Sequence, residues 1–112
     1  MTQAEFRCCD GVPVAFVIRG HSGYAESGAD IVCAAVSSAA QLVCNTVTEV
    51  LGIRADVRQD EASATLSLQL PAGCSETAAS LLKGLQLHLQ ELAAQYPRFL
   101  KVTTKGKCLL WY

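Results

Sequence analysis

Apolar and polar residues alternate in some stretches of this chain and recur every three to four residues in others. Residues 3–8 and 12–19 read as two strands joined by Asp10-Gly11, a pair suited to a two-residue hairpin turn. The second of these, Val12-Pro13-Val14-Ala15-Phe16-Val17-Ile18, is almost wholly apolar, which predicts burial on both faces, with Pro13 near its start. A long helix is expected from about Ile31 to Leu51. Its apolar set of Ile31, Val32, Ala35, Val36, Ala39, Leu42, Val43, Val47, Val50 and Leu51 follows a period near 3.6. Asp30 is the expected N-cap and Gly52 the residue that closes the helix.

A second hairpin follows. Ile53, Ala55 and Val57 alternate with Arg54, Asp56 and Arg58. The polar turn Gln59-Asp60-Glu61 then leads to Ala64, Leu66, Leu68 and Leu70, which alternate with Thr65, Ser67 and Gln69. Pro71-Ala72-Gly73 breaks the chain. A second helix is predicted from about Ser75 to Tyr96, with Ala78, Leu81, Leu82, Leu85, Leu89, Leu92 and Tyr96 as one stripe and Pro97 as its stop. Residues 99–104 form a last strand. The order ββαββαβ predicts an α+β fold: a mixed or antiparallel sheet of two hairpins plus a C-terminal strand, packed by two long helices.

The bulk numbers agree with a globular chain. Its 112 residues fit one domain spanning 1–112, and 51% apolar against 17% charged residues supports a core. The net charge of −1 gives no reason to expect direct nucleic-acid binding. Arg98, Lys101, Lys105 and Lys107 crowd the C-terminal end without an acid among them. Such lysines guard an edge strand against aggregation, and four charges support RNA or ribosome docking only weakly. No apolar run is expected to serve as a membrane span, which takes ~18 residues. The N-terminus lacks an apolar leader, so no membrane partner and a cytoplasmic location with reduced thiols are expected. The six cysteines and two histidines show no zinc-ligand spacing, so no metal or cofactor is expected.

The chemically dense stretch is residues 20–37. His21 follows the apolar strand. Cys33 is expected in the first turn of the helix, three residues after Asp30. Unpaired N–H groups and the positive end of the macrodipole favour a thiolate there. Such placement with a neighbouring imidazolium brings a thiol from about 8.5 to roughly 3.5–7.5. The glycine-rich loop between them is long enough to let His21 meet Cys33 as base and nucleophile. Cys44, three turns further along, lacks the helix-end field and reads as structural, as do Cys8, Cys9, Cys74 and Cys108. His88 reads as an ordinary flank residue.

The run Gly20-His21-Ser22-Gly23-Tyr24-Ala25, followed by Gly28-Ala29-Asp30-Ile31-Val32-Cys33-Ala34-Ala35-Val36-Ser37, resembles the signature of the ribosomal-processing cysteine protease family, Prp. Ser22 and Ala29 depart mildly from it. The resemblance implies a bacterial cytoplasmic endopeptidase that removes a short N-terminal extension from large-subunit ribosomal protein twenty-seven, cutting after a pair of phenylalanines. It implies Cys33 as nucleophile and His21 as general base. It further implies a homodimer and a loop that orders on the substrate peptide. Gly20, Gly23, Tyr24, Asp30 and Ser37 are supporting candidates. Asp30 would orient His21 or cap the helix. Ser37, one turn beyond Cys33, would hydrogen-bond near the site or back-bond to the Cys33 carbonyl. Tyr24 would line the substrate pocket or anchor the loop. The competing expectation is a non-catalytic ribosome-associated binding module.

Overall fold

The computed structural model describes residues 1–20, 29–73 and 75–108, with the side chains of residues 29, 30, 107 and 108 outside the description. Strand β1 (Thr2–Cys9) turns through Asp10-Gly11 into β2 (Val12–Arg19). Both turn residues have positive φ, 53° and 80°, as a tight right-twisted hairpin demands. Helix α1 (Ala29–Asn45) runs on into a π-helical turn (Thr46–Val50), then β3 (Asp56–Asp60), β4 (Thr65–Gln69), α2 (Glu76–Gln95) and β5 (Leu100–Cys108) complete the order. The five strands lie in the order β3-β4-β2-β1-β5. All neighbours are antiparallel except β1 and β5, which pair in parallel. The fold is the expected α+β arrangement, its sheet mixed because of that last pair.

One face of the sheet makes the core with the helices. Ala4, Phe6, Phe16, Ile18, Leu68 and Leu100 meet Val32, Val36, Val43 and Val47 of the first helical segment and Ala78, Leu82, Leu85 and Leu89 of α2. Phe6 and Phe16 are register partners with ring centroids 6.0 Å apart, a contact adding about 0.5–1.5 kcal/mol beyond area burial. The other face is polar and open. There Glu5 lies between Arg7 at 3.5 Å and Lys105 at 3.4 Å. On β2 the expected burial on both faces holds only in part: on this second face Ala15 is buried but Val17 is half-buried. The lysines at 101 and 105 do decorate an edge strand, since β5 ends the sheet.

Several boundaries differ from the sequence reading. Helix α1 begins at Ala29, so Asp30 has helical backbone and is the second residue of the helix, not its N-cap. Of the expected apolar face, Ile31, Leu42 and Val50 are 71%, 67% and 74% exposed, whereas Ala40 and Cys44 are buried in their stead. The helix ends in a wider turn, with Leu51 N–H donating to Thr46 O at 2.8 Å. The Thr46 and Thr48 hydroxyls donate to the carbonyls of Leu42 and Cys44, at 2.7 and 2.9 Å. Strand β3 starts three residues later than Ile53 and is exposed throughout; Ile53 and Ala55 pack half-buried on the core as its lead-in. Helix α2 matches its prediction closely, with Ser75 Oγ accepting from Ala78 N–H at 3.3 Å as N-cap. Tyr96 falls outside the stripe, 40% exposed just past the helix end. Cys74 and the tail 109–112 lie outside the described residues.

Candidate functional site

Cys33 is half-buried on the flank of α1 that faces the β3–β4 hairpin. Between them lies a cleft of about 250 Å³. Cys33, Ser37, Ala40 and Gln41 form one wall, on the same helical flank because they stand at intervals of three and four residues. Gln59, Asp60, Glu61, Ala64, Thr65 and Leu66 form the other, and Ile18 and Gly20 close the end where β2 stops. The cleft therefore gathers three separate parts of the chain around the thiol.

Gly20 is held in place by backbone geometry. Its φ is +103°, and a Cβ there would lie 2.5 Å from the carbonyl oxygen of Met1. Only a residue without a side chain fits both conditions. The hairpin wall is equally ordered. Asp60 Oδ1 accepts from Ala62 N–H at 3.0 Å, and Glu61 O accepts from Ala64 N–H at 3.2 Å. Ala64 takes the left-handed conformation, φ 50°, that closes the four-residue turn.

Cys33 is the fifth residue of α1, one turn inside the helix and not in its opening turn as expected. Helical side chains lean toward the N-terminus, so its sulfur points back over the first turn. Cys44 is a different case. It is buried, and desolvation raises its thiol above the ordinary range, which suits a structural role.

Of the candidate residues, the structure brings together Gly20, Cys33 and Ser37. His21, Gly23 and Tyr24 lie outside the described residues, and Asp30 is described by backbone alone. His21 is nevertheless bonded directly to Gly20, a residue of the cleft wall. Ala40, Gln41, Asp60 and Glu61 were not foreseen as site residues. The helical positions were readable from the spacing to Cys33; the hairpin positions were not, because no local pattern tells which helix a turn will face. Among the described residues, no three of His, Cys, Asp and Glu are grouped to hold a metal.

Comparison with known proteins gives this geometry a context. Residues 1–101 match the family model described as cysteine protease Prp. No curated protein sequence matches the chain. Among solved structures, SMU.848 from Streptococcus mutans is 27% identical with a TM-score of 0.83, covering 93% of each chain. The essential ribosomal processing protease Prp from Staphylococcus aureus, in complex with a substrate peptide, is 21% identical with a TM-score of 0.86, covering 94% of this chain and 100% of that one. The same protease with a covalently linked product peptide is 22% identical with a TM-score of 0.82, again covering 94% and 100%.

Proposed function

The chain belongs to the Prp family of cysteine proteases, and on that premise we propose that it cleaves a short N-terminal extension from large-subunit ribosomal protein twenty-seven, after a pair of phenylalanines, with Cys33 as nucleophile and His21 as general base. The observation that carries the reading is the cleft: a half-buried thiol on a helix flank, at a groove whose end wall is the residue bonded to His21. Membership of a protease family sets aside the non-catalytic binding module.

In the proposed reaction, His21 takes the proton of the Cys33 thiol and the thiolate attacks the scissile carbonyl. The tetrahedral intermediate collapses as His21 returns the proton to the leaving amine. Water, activated by the same imidazole, then releases the acyl group from sulfur. One backbone donor to the oxyanion is commonly worth about 2.7–4 kcal/mol of barrier. Ser37 is a positioning residue one turn from the sulfur, on the same cleft wall. Gly20 fixes where the His21 segment leaves the sheet. Asp30, excluded as N-cap by the start of α1, keeps only the role of orienting His21, and Gly23 and Tyr24 stay candidates for the loop and the substrate pocket. The partner is an N-terminal peptide of a ribosomal protein, and the location is the bacterial cytoplasm.

The proposed assembly is a homodimer. Residues 31–48 contain no charged residue, yet the outer side of α1 exposes Ile31 and Leu42. A two-fold contact needs a pattern that reads alike in both directions. Ile31 with Leu42, and Ala35 with Ser38, are spaced symmetrically about one midpoint, with the small pair at the centre where antiparallel helices would approach. The thiol lies on a different flank of α1, so such a contact leaves the cleft open.

The function is tested by incubating the protein with the precursor of ribosomal protein twenty-seven and sequencing the product's N-terminus. A product beginning directly after the phenylalanine pair is expected. An uncut precursor, or cleavage elsewhere, would refute the substrate assignment.

A further inference from the structure

The cleft beside Cys33 carries charge that the peptidase chemistry leaves unused. Asp60 and Glu61 stand on the wall opposite the thiol, and no Lys, Arg or His is among the described residues that line it. Arg58, the nearest cation in sequence, is engaged by Asp56 at 3.2 Å. Glu61's carboxylate has no partner among the described residues, and Asp60 spends one oxygen on the Ala62 N–H. The rest of the cleft is of another kind. Ile18, at the closed end, is 6% exposed and Ala40, on the helix wall, is fully buried, so the inner part of the cleft is apolar. A peptide entering this cleft meets buried apolar residues and, on the wall opposite the thiol, two carboxylates with no basic residue among the described lining residues. Carboxylates around such a groove attract and orient a cationic side chain, and they penalise an acidic one by like-charge repulsion.

We propose that Asp60 and Glu61 are specificity-determining residues, which select peptides that carry a lysine or arginine close to the scissile bond beside an apolar residue. The assignment rests on the endopeptidase reading of the Cys33 cleft. It adds to that reading the electrostatic half of the substrate class. The Ala62 N–H bond to Asp60 Oδ1 and the Ala64 N–H bond to Glu61 O hold the turn that carries both carboxylates, so its backbone is in place before a peptide binds.

The test uses two pairs of peptides with one phenylalanine-containing core. In one pair a lysine, or glutamine in its place, lies within three residues on the N-terminal side of the cut; in the other it lies on the C-terminal side. Wild-type protein should prefer lysine in at least one pair by about three- to tenfold in kcat/KM at low salt, the scale of one or two partly exposed ion pairs. The preference should shrink at high salt. It should fall close to unity in the double variant Asp60→Asn, Glu61→Gln, and Glu61→Lys should reverse it toward a glutamate peptide. Circular dichroism checks that the variants fold, and Asn retains the acceptor that Ala62 needs. Equal rates on lysine and glutamine peptides in both pairs would overturn the proposal, as would a preference that survives in the double variant. Failure to cleave any peptide would instead count against the endopeptidase reading. In that event fluorescence anisotropy of the same labelled peptides reads the charge preference directly, and equal binding of lysine and glutamine forms would overturn it.

Discussion

Gly20→Ala should be among the most damaging single-methyl additions in the chain. The added Cβ would lie 2.5 Å from Met1 O, where ordinary contacts begin near 3.4 Å. That oxygen cannot simply swing aside. It shares a peptide plane with the Thr2 N–H, which donates to Phe99 O at 2.9 Å and ties β1 to the residue before β5. Rotating the plane loses that bond, about 0.5–1.5 kcal/mol. Alanine at a φ of +103° adds strain of about 1–3 kcal/mol. Together the loss is about 2–4 kcal/mol, which lowers the urea midpoint by about 1–2 M for an m-value of about 2 kcal/mol/M. Gly84→Ala is the control. A Cβ at Gly84 meets nothing within 4 Å, and α2 should gain about 0.8–1 kcal/mol of helix propensity. Equilibrium urea unfolding of both variants and the wild type decides the matter. A Gly20→Ala midpoint at or above the wild-type value would refute the reasoning, as would equal losses in the two variants. Peptidase activity should fall with Gly20→Ala beyond the folded fraction lost, because the wall that launches His21 moves.

Three further outcomes follow from the same structure. Ala64→Gly relieves a left-handed alanine, φ 50°, and should raise the urea midpoint by the equivalent of up to about 1 kcal/mol; a loss would contradict the turn geometry. Burial raises the Cys44 thiol, so the native state keeps its proton where the unfolded chain releases it. Its contribution is fully present below about pH 8.5 and is lost as pH rises toward the native value; comparing urea midpoints of wild type and Cys44→Ala across pH 7–10 should show the steeper decline in wild type. Leu42→Glu, on the exposed side of α1, should convert a dimer to a monomer in sedimentation while leaving the circular dichroism spectrum intact; an unchanged dimer would place the interface elsewhere.

What the sequence reveals depends on how local each signal is. Asp10-Gly11 announces its turn because two residues suffice to set both φ angles. Ser75 and Pro97 bracket α2 because a cap and a missing N–H act at single positions. Leu66, Leu68 and Leu70 alternate because one face of β4 meets the core and the other does not. The misplacements arise where distant packing decides. Ile53 and Ala55 look like strand residues but are drawn onto the core as an extended lead-in, leaving the polar Asp56–Asp60 as the edge strand. Ile31 and Leu42 fit the helical period yet face outward, whereas Ala40 and Cys44 are the residues turned into the core. The parallel β1–β5 pair has no signature in either strand. The site divides in the same way. The 20–37 stretch, with Cys33 and Ser37 on one helix, was legible, whereas Asp60 and Glu61 join it only through the sheet order that sets β4 beside β2.

The central claim is that the Cys33 sulfur performs the attack. Cleavage of a peptide containing the phenylalanine pair, measured for wild type and Cys33→Ala side by side with matched circular dichroism, addresses it most directly. The account predicts a loss of at least about a thousandfold in kcat/KM, in line with removal of a catalytic nucleophile. Cleavage by Cys33→Ala at the wild-type rate would contradict it.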